Sequence, residues 1–258
     1  MKGLIKSELR KLSSTWMWFG LTVGGALACG LITMIVALTS GRRNGDNVVP
    51  PLSNIDQVRT VYGTTYGIGT LFTLILGIIV ICGEFRHQTI TPTVLASPRR
   101  NRVVYAKLAG TTTVSFLSGL AMGIVGISVG MIVISAKGYS VRLGNGDIQK
   151  TLALSLLGLV VWGILGLGVG TLLKNQVAAI LVVLGWTFVA ENLIVAGLNA
   201  LKWYWFTKFL PGQASTAMVR PRNQHHLLPW WGGTLTLLGY GVIAAAVGMF
   251  FTLRRDIS

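Results

Sequence analysis

Acidic residues are scarce in this chain. Its 258 residues include 7 Asp and Glu against 22 Lys and Arg, a formal net charge of +15. The few carboxylates are scattered, which excludes a paired-carboxylate acid/base site, and no nucleophilic triad or H-E-x-x-H motif accompanies them. Cysteine is nearly absent: Cys29 and Cys82 both lie in apolar runs, where they read as small apolar fillers, not as a disulfide or a metal pair. The 3 histidines are His87 and the doublet His225-His226. They fall on opposite sides of the predicted spans, and the doublet has no Cys, Asp or Glu beside it, so no metal site is expected. A phosphate-binding G-x-x-x-x-G-K-[ST] is missing as well. The glycines from Gly166 towards Lys174 have the wrong spacing and sit inside an apolar run, without the strand and soluble fold that such a loop needs. The chain therefore reads as neither an ATPase nor any other enzyme.

Charged residues of both signs make up 11% of the chain, against roughly 25% in a soluble domain. What fills the chain instead is 52% hydrophobic residues and a mean hydropathy of +0.66. Six runs are long enough to cross a bilayer of about 20 residues' span: 16–38, 61–82, 108–135, 152–173, 177–198 and 231–253. Backbone groups in lipid must be satisfied within the segment, so all six are expected to be helices. The predicted class is an all-α membrane protein, one domain over 1–258. The first run exceeds a secretory h-region and no small-x-small site follows it, so it reads as a retained span. Six of the 8 tryptophans (Trp16, Trp18, Trp203, Trp205, Trp230, Trp231) fall at span edges or in a connecting loop, the headgroup level that indole prefers.

The positive charge is confined to loops and tails. With the N-terminus inside, twelve Lys and Arg are cytoplasmic and ten are outside; the dense clusters flank spans on the inner side and the outer loops are longer, so both termini are assigned to the cytoplasm. No aromatic-basic recognition module is visible, and nucleic acid is not expected as a partner. Residues 1–14 read as an amphipathic helix on the inner leaflet, with Leu4, Ile5, Leu9 and Leu12 on one face and Lys2, Lys6 and Arg10 on another. Glu8 and Lys11 can pair at i,i+3. The alternative is a plain positively charged flank.

Between the spans, residues 39–60 are polar and carry Pro50-Pro51, which predicts an irregular segment. Gly144-Asn145-Gly146-Asp147 is a turn signature. Residues 199–230 hold Trp203, Tyr204, Trp205, Phe206 and Phe209. So aromatic a stretch predicts a short helix on or in the outer leaflet, ending near Pro211-Gly212. Glycines four apart recur at Gly119/Gly123, Gly126/Gly130 and Gly166/Gly170; they serve close helix packing within the bundle or a subunit seam. Glu191 is the one clear ionisable group inside a span, beside Asn192 and one turn from Thr187. Burial in lipid costs several kcal/mol, so it faces the bundle, an aqueous cavity or a partner. Thr187, Glu191 and Asn192 are candidate pathway residues, the alternative being a structural acid between helices.

A polar, basic insert at 83–107 separates the second and third runs. Glu84 and Arg86 stand at i,i+2 and do not face each other on a helix. Thr91 and Pro92 suit an N-cap and first helical position, and Pro98 ends the resulting short helix. Arg99, Arg100, Arg102 and Lys107 are expected to ride the interface into the third span. This punctuation suits a rigid cytoplasmic knob that passes movement from a soluble partner into the bundle.

The opening Ser7-Glu8-Leu9-Arg10-Lys11-Leu12 and the elbow Gly83-Glu84-Phe85-Arg86-His87-Gln88-Thr89-Ile90-Thr91-Pro92-Thr93 resemble type-2 ABC exporter permeases. Ser97-Pro98-Arg99-Arg100 is similar to the small actinobacterial-type members. The resemblance covers the whole chain and implies a six-span subunit of the bacterial cytoplasmic membrane. It implies that Glu84, Phe85, Arg86, Thr89, Thr91, Pro92, Thr93, Val94 and Leu95 form the coupling helix and its junction, seated on a cytoplasmic ABC ATPase. It makes Lys6, Glu8, Arg10 and Lys11 part of an interface helix beside that ATPase, and residues 199–230 an outer closure. ATP and Mg would belong to the partner, and a second permease copy or a sister permease would complete the pathway. The expected activity is outward movement of an amphipathic drug, peptide or lipid-like substrate. A non-transporting anchor or signalling subunit for an ATPase, and an ATP-independent carrier or channel, are the alternatives; an intramembrane enzyme would lack its catalytic set.

Overall fold

The computed structural model describes residues 16–44, 47–86, 100–219 and 227–255. The interface helix expected over 1–14, with Lys6, Glu8, Arg10 and Lys11, lies outside them. So does the body of the elbow, 87–99, with Thr89, Thr91, Pro92, Thr93, Val94 and Leu95.

Eight helices are described: α1 Trp16–Thr39, α2 Ile55–Arg86, α3 Arg100–Ala136, α4 Gly146–Leu173, α5 Gln176–Ala200, α6 Tyr204–Thr207, α7 Pro211–Val219 and α8 Trp230–Arg255. Six of them (α1 to α5 and α8) are long and apolar enough to cross a membrane, as the runs predict, and the chain is a multi-pass membrane protein. In α5, a π-helical turn at Trp186–Ala190 separates Gln176–Gly185 from Glu191–Ala200.

Three boundaries differ from the sequence reading. Residues 39–60 are not irregular throughout: Arg43–Asn44 pairs antiparallel with Asn47–Val48, and α2 starts at Ile55. Asn54 begins that helix early, its side-chain oxygen accepting from the Asp56 amide at 2.9 Å, an ordinary N-cap. The turn at Gly144–Asp147 likewise merges into α4, with Asn145 as N-cap accepting from Asp147 N. In the aromatic segment no helix ends at Pro211. One begins there, because proline fits the first helical position, where its missing N–H is not needed.

Helix α4 is the centre of the bundle, packed between α2 and α8, while α1 lies on α2 and α3. The α2–α4 crossing is backbone on backbone: a Cβ on Gly77 would overlap the Gly163 carbonyl, and one on Gly166 would overlap that of Leu74. Small residues permit that approach, and dispersion across it replaces a hydrophobic drive that lipid cannot supply. Of the glycine pairs noted in the sequence, Gly126, Gly130, Gly166 and Gly170 meet neighbours within the subunit, whereas a Cβ on Gly123 meets nothing within 4 Å. Leu74, Ile78, Leu159, Trp162, Leu167 and Met218 build the main core. Leu52, Tyr62, Ile134 and Ile148 build a second one at the hairpin end. Helix α5 is peripheral: 17% of its most apolar window is buried, against 56% for α2 and α4.

The segment after α5 folds back into the bundle. Helix α7 packs on α8 and α4, and the hydroxyl of Ser215 lies 2.5 Å from that of Tyr66 and accepts from Trp162 Nε1 at 2.9 Å. Tyr66 is about 16 Å along α2 from Ile55 at 1.5 Å per residue, so α7 reaches down among the long helices and does not cap their ends. Non-spanning backbone at that depth is tolerated because protein surrounds it.

Candidate functional site

Two places combine polar groups with an unusual setting. The first is the root of the elbow. Glu84, in the last turn of α2, and Lys107, in the third turn of α3, form an ion pair. Both side chains are buried, at 9% and 6% exposure. Lys107 therefore does not ride the interface as expected; it faces α2 from inside the helix pair. The neighbouring Phe85 is half-buried against the core, and the ammonium of Lys174 sits 5.8 Å from its ring centroid, within cation–π range. Lys174 is also the left-handed C-cap of α4, at φ 57°, and Asn175 caps α5 by accepting from Ala178 N at 3.1 Å. Arg86 is exposed at the end of α2. Both helical arms of the elbow, and the turn between α4 and α5, thus meet within a few residues.

The second is a cleft of about 510 Å³ at the opposite, hairpin end. One wall is α2, from Asp56 to Leu71. The other walls are Thr187 and Phe188 of α5, Gly212, Ser215 and Thr216 of α7, and Thr151 and Trp162 of α4. Only Asp56 and Arg59 of its lining are charged. Arg59 is half-buried and donates through Nε to Thr151 Oγ1 at 2.5 Å. Thr151 in turn donates to Asp147 O at 2.9 Å.

The predicted pathway trio divides. Thr187 lines the cleft. Glu191 is buried and accepts from the amides of Gly212 at 2.6 Å and Gln213 at 3.2 Å, so its carboxylate caps the N-terminus of α7. Asn192 is exposed, and its amide donates to Phe188 O at 2.9 Å, supplying a partner to the disrupted ladder of the π turn. Such turns concentrate at functional sites, and this one sets Thr187 and Phe188 on the cleft with Glu191 one step behind them. The sequence assigns no site role to Arg59, Tyr66 or Ser215. Nothing local marks these three.

Cys29 and Cys82 are free and buried, their thiols directed at the carbonyls of Thr65 and Gly170. Among the described residues no group of His, Cys, Asp and Glu is placed to hold a metal ion. No protein-family model matches the chain, and no curated protein matches it significantly in sequence.

Proposed function

We propose that this chain is the membrane permease subunit of an ATP-driven exporter, forming half of a dimeric pathway and driven by separate cytoplasmic ATPase subunits that hold the ATP and Mg. The carrying observation is the buried Glu84–Lys107 pair at the root of the basic elbow. A loop that merely connects two spans needs no ion pair there, because desolvating two charges costs several kcal/mol per ion before their attraction is counted. A lever does need it. Force on residues 87–99 would reach α2 and α3 as one body, and through Phe85 and Lys174 the α4–α5 turn as well.

Helix α2 then transmits. It runs unbroken for 32 residues from the elbow to the cleft, held to α4 by the glycine crossing. At the far end it faces α5 and α7 across the cleft, so any shift of α2 changes the cleft's width. In this reading the elbow and both termini face the cytoplasm of a bacterial cell, the cleft opens outward, and the substrate is an amphipathic drug, peptide or lipid-like molecule. Positive-inside clustering supports that orientation.

The test is a tagged full-length chain purified in mild detergent, alongside a variant with residues 91–97 replaced by Gly and Ser. Co-purification of a stoichiometric Walker-type ATPase with the wild type, and its loss from the Gly-Ser variant, is the expected result. A stable chain that carries no ATPase under conditions preserving known complexes would overturn the assignment.

A further inference from the structure

The cleft combines a charged end with an apolar stretch. Along α2 the lining runs from Arg59 and Thr60 at the hairpin end to the apolar side chains of Ile68 and Leu71, interleaved with Tyr66 and Thr70, and Phe188 of α5 also lines it. That length is about 18 Å at 1.5 Å per residue. The volume of about 510 Å³ suits one small ligand, in the range of roughly 300–1,000 Å³ usual for such pockets.

The mouth holds one acid and one base, Asp56 and Arg59, which are not ion-paired to each other. Arg59 lies only four residues into α2, where the helix dipole opposes a cation. Asp56, exposed in the first turn, is already matched to that dipole. The one ion pair among the described residues is Glu84–Lys107 at the other end, so Arg59 meets no carboxylate there. Thr151 engages only its Nε, which holds the guanidinium in place while leaving the terminal nitrogens for the fork geometry that carboxylate and phosphate prefer.

We propose that the cleft binds a single-chain amphiphile with an anionic head: the head on the terminal nitrogens of Arg59, since the hydroxyls of Thr60 and Thr64 already donate to the carbonyls of Asp56 and Thr60, and the chain along Ile68, Leu71 and Phe188. This takes the cleft as the substrate-facing wall of the permease proposed above, and narrows its substrate class. Gly67 makes the site testable by steric means. It lines the cleft, and a Cβ there meets nothing within 4 Å, so a large side chain would fill the groove without disturbing the core.

The experiment is equilibrium binding of radiolabelled dodecyl phosphate, and of dodecyltrimethylammonium with the same chain, to the full-length protein in phosphatidylcholine nanodiscs. Dodecyl phosphate is expected to bind saturably and the ammonium amphiphile not to compete. Arg59→Gln should weaken binding about tenfold, the loss of one charge-assisted contact, and Arg59→Lys should restore part of it. Gly67→Phe should abolish it at unchanged melting temperature. Equal affinity for both heads, or binding indifferent to Arg59→Gln and to Gly67→Phe, overturns the proposal. The assay needs no ATPase. Arg59-dependent binding by a chain that recruits no ATPase would uphold the site and reject the exporter. Amphiphile binding indifferent to head group and to Arg59→Gln, by a chain that recruits an ATPase, would do the reverse.

Discussion

Glu191 Oε1 lies 2.6 Å from the amide nitrogen of Gly212, a residue 21 positions further along the chain. The contact joins the π turn of α5 to the first turn of helix α7. Gln213 adds a second amide at 3.2 Å, so one carboxylate serves two donors that a helix start leaves free, on the positive end of its dipole. The contact fixes α7 against α5 and so sets one corner of the cleft.

Glu191→Ala should therefore destabilise the protein by about 1–2 kcal/mol, the usual cost of a lost N-cap. Glu191→Gln keeps a carbonyl acceptor and should lose less. Thermal unfolding in detergent separates them, and an alanine variant as stable as the glutamine one would remove the capping role. Gly212→Ala offers an independent check. Its Cβ would sit 2.7 Å from Glu191 Oε1, forcing the acid away, and should resemble Glu191→Ala.

The elbow root makes a prediction of reciprocity. Glu84→Ala or Lys107→Ala removes one half of a buried ion pair and should cost up to about 3–5 kcal/mol. The double variant Glu84→Leu with Lys107→Met should recover much of that loss in stability, because both charges are gone. Transport-coupled ATPase activity should stay low in the double variant if the pair also transmits force. Additive single and double losses in a denaturation cycle would show that the two residues act separately.

The glycine crossing sorts substitutions by position. Gly77→Ala and Gly166→Ala place a methyl group into backbone of the facing helix, where overpacking costs about 1–3 kcal/mol. Gly123→Ala and Gly67→Ala meet nothing within 4 Å and should be neutral or stabilise by up to about 1 kcal/mol through helix propensity. Melting temperatures of the four variants decide this; no difference between the pairs would mean the helices part easily.

Lys137, just beyond α3, donates to the carbonyls of Ala37 at 2.9 Å, Leu38 at 2.7 Å and Ser40 at 3.1 Å, closing the C-terminus of α1. Lys137→Met should cost about 1–2 kcal/mol by leaving those acceptors to water or to nothing. Burial first, and the charge of Arg42 second, hold the Lys137 ammonium below its usual 10.5. Between the lowered folded value and 10.5 the unfolded chain binds the extra proton, so this group makes stability rise with pH through that window. Denaturation at stepped alkaline pH should show that slope in the wild type and its reduction in Lys137→Met; an unchanged slope would assign it to other groups.

Six spans, their helical state and the polar elbow were legible in the residues, because hydrophobic length adds along the chain and lipid allows the backbone few alternatives. The start of α2 at Ile55 was legible too: Asn54 followed by Asp56 is a local cap signal, masked by the weight given to Pro50-Pro51. Pro211 was misread as a stop because the same residue marks ends and beginnings, and only the turn before it tells them apart. Other features could not be read locally. That Glu191 caps α7, that Lys107 is buried against Glu84, and that Ser215 joins Tyr66 to Trp162 are pairings between distant segments, and each depends on how helices rotate and dock. Composition and hydropathy made this chain a multi-pass membrane protein. Backbone contact at Gly77, Gly163 and Gly166 decided which helix lies against which, and with it which few polar groups face a cleft and which serve only to hold it open.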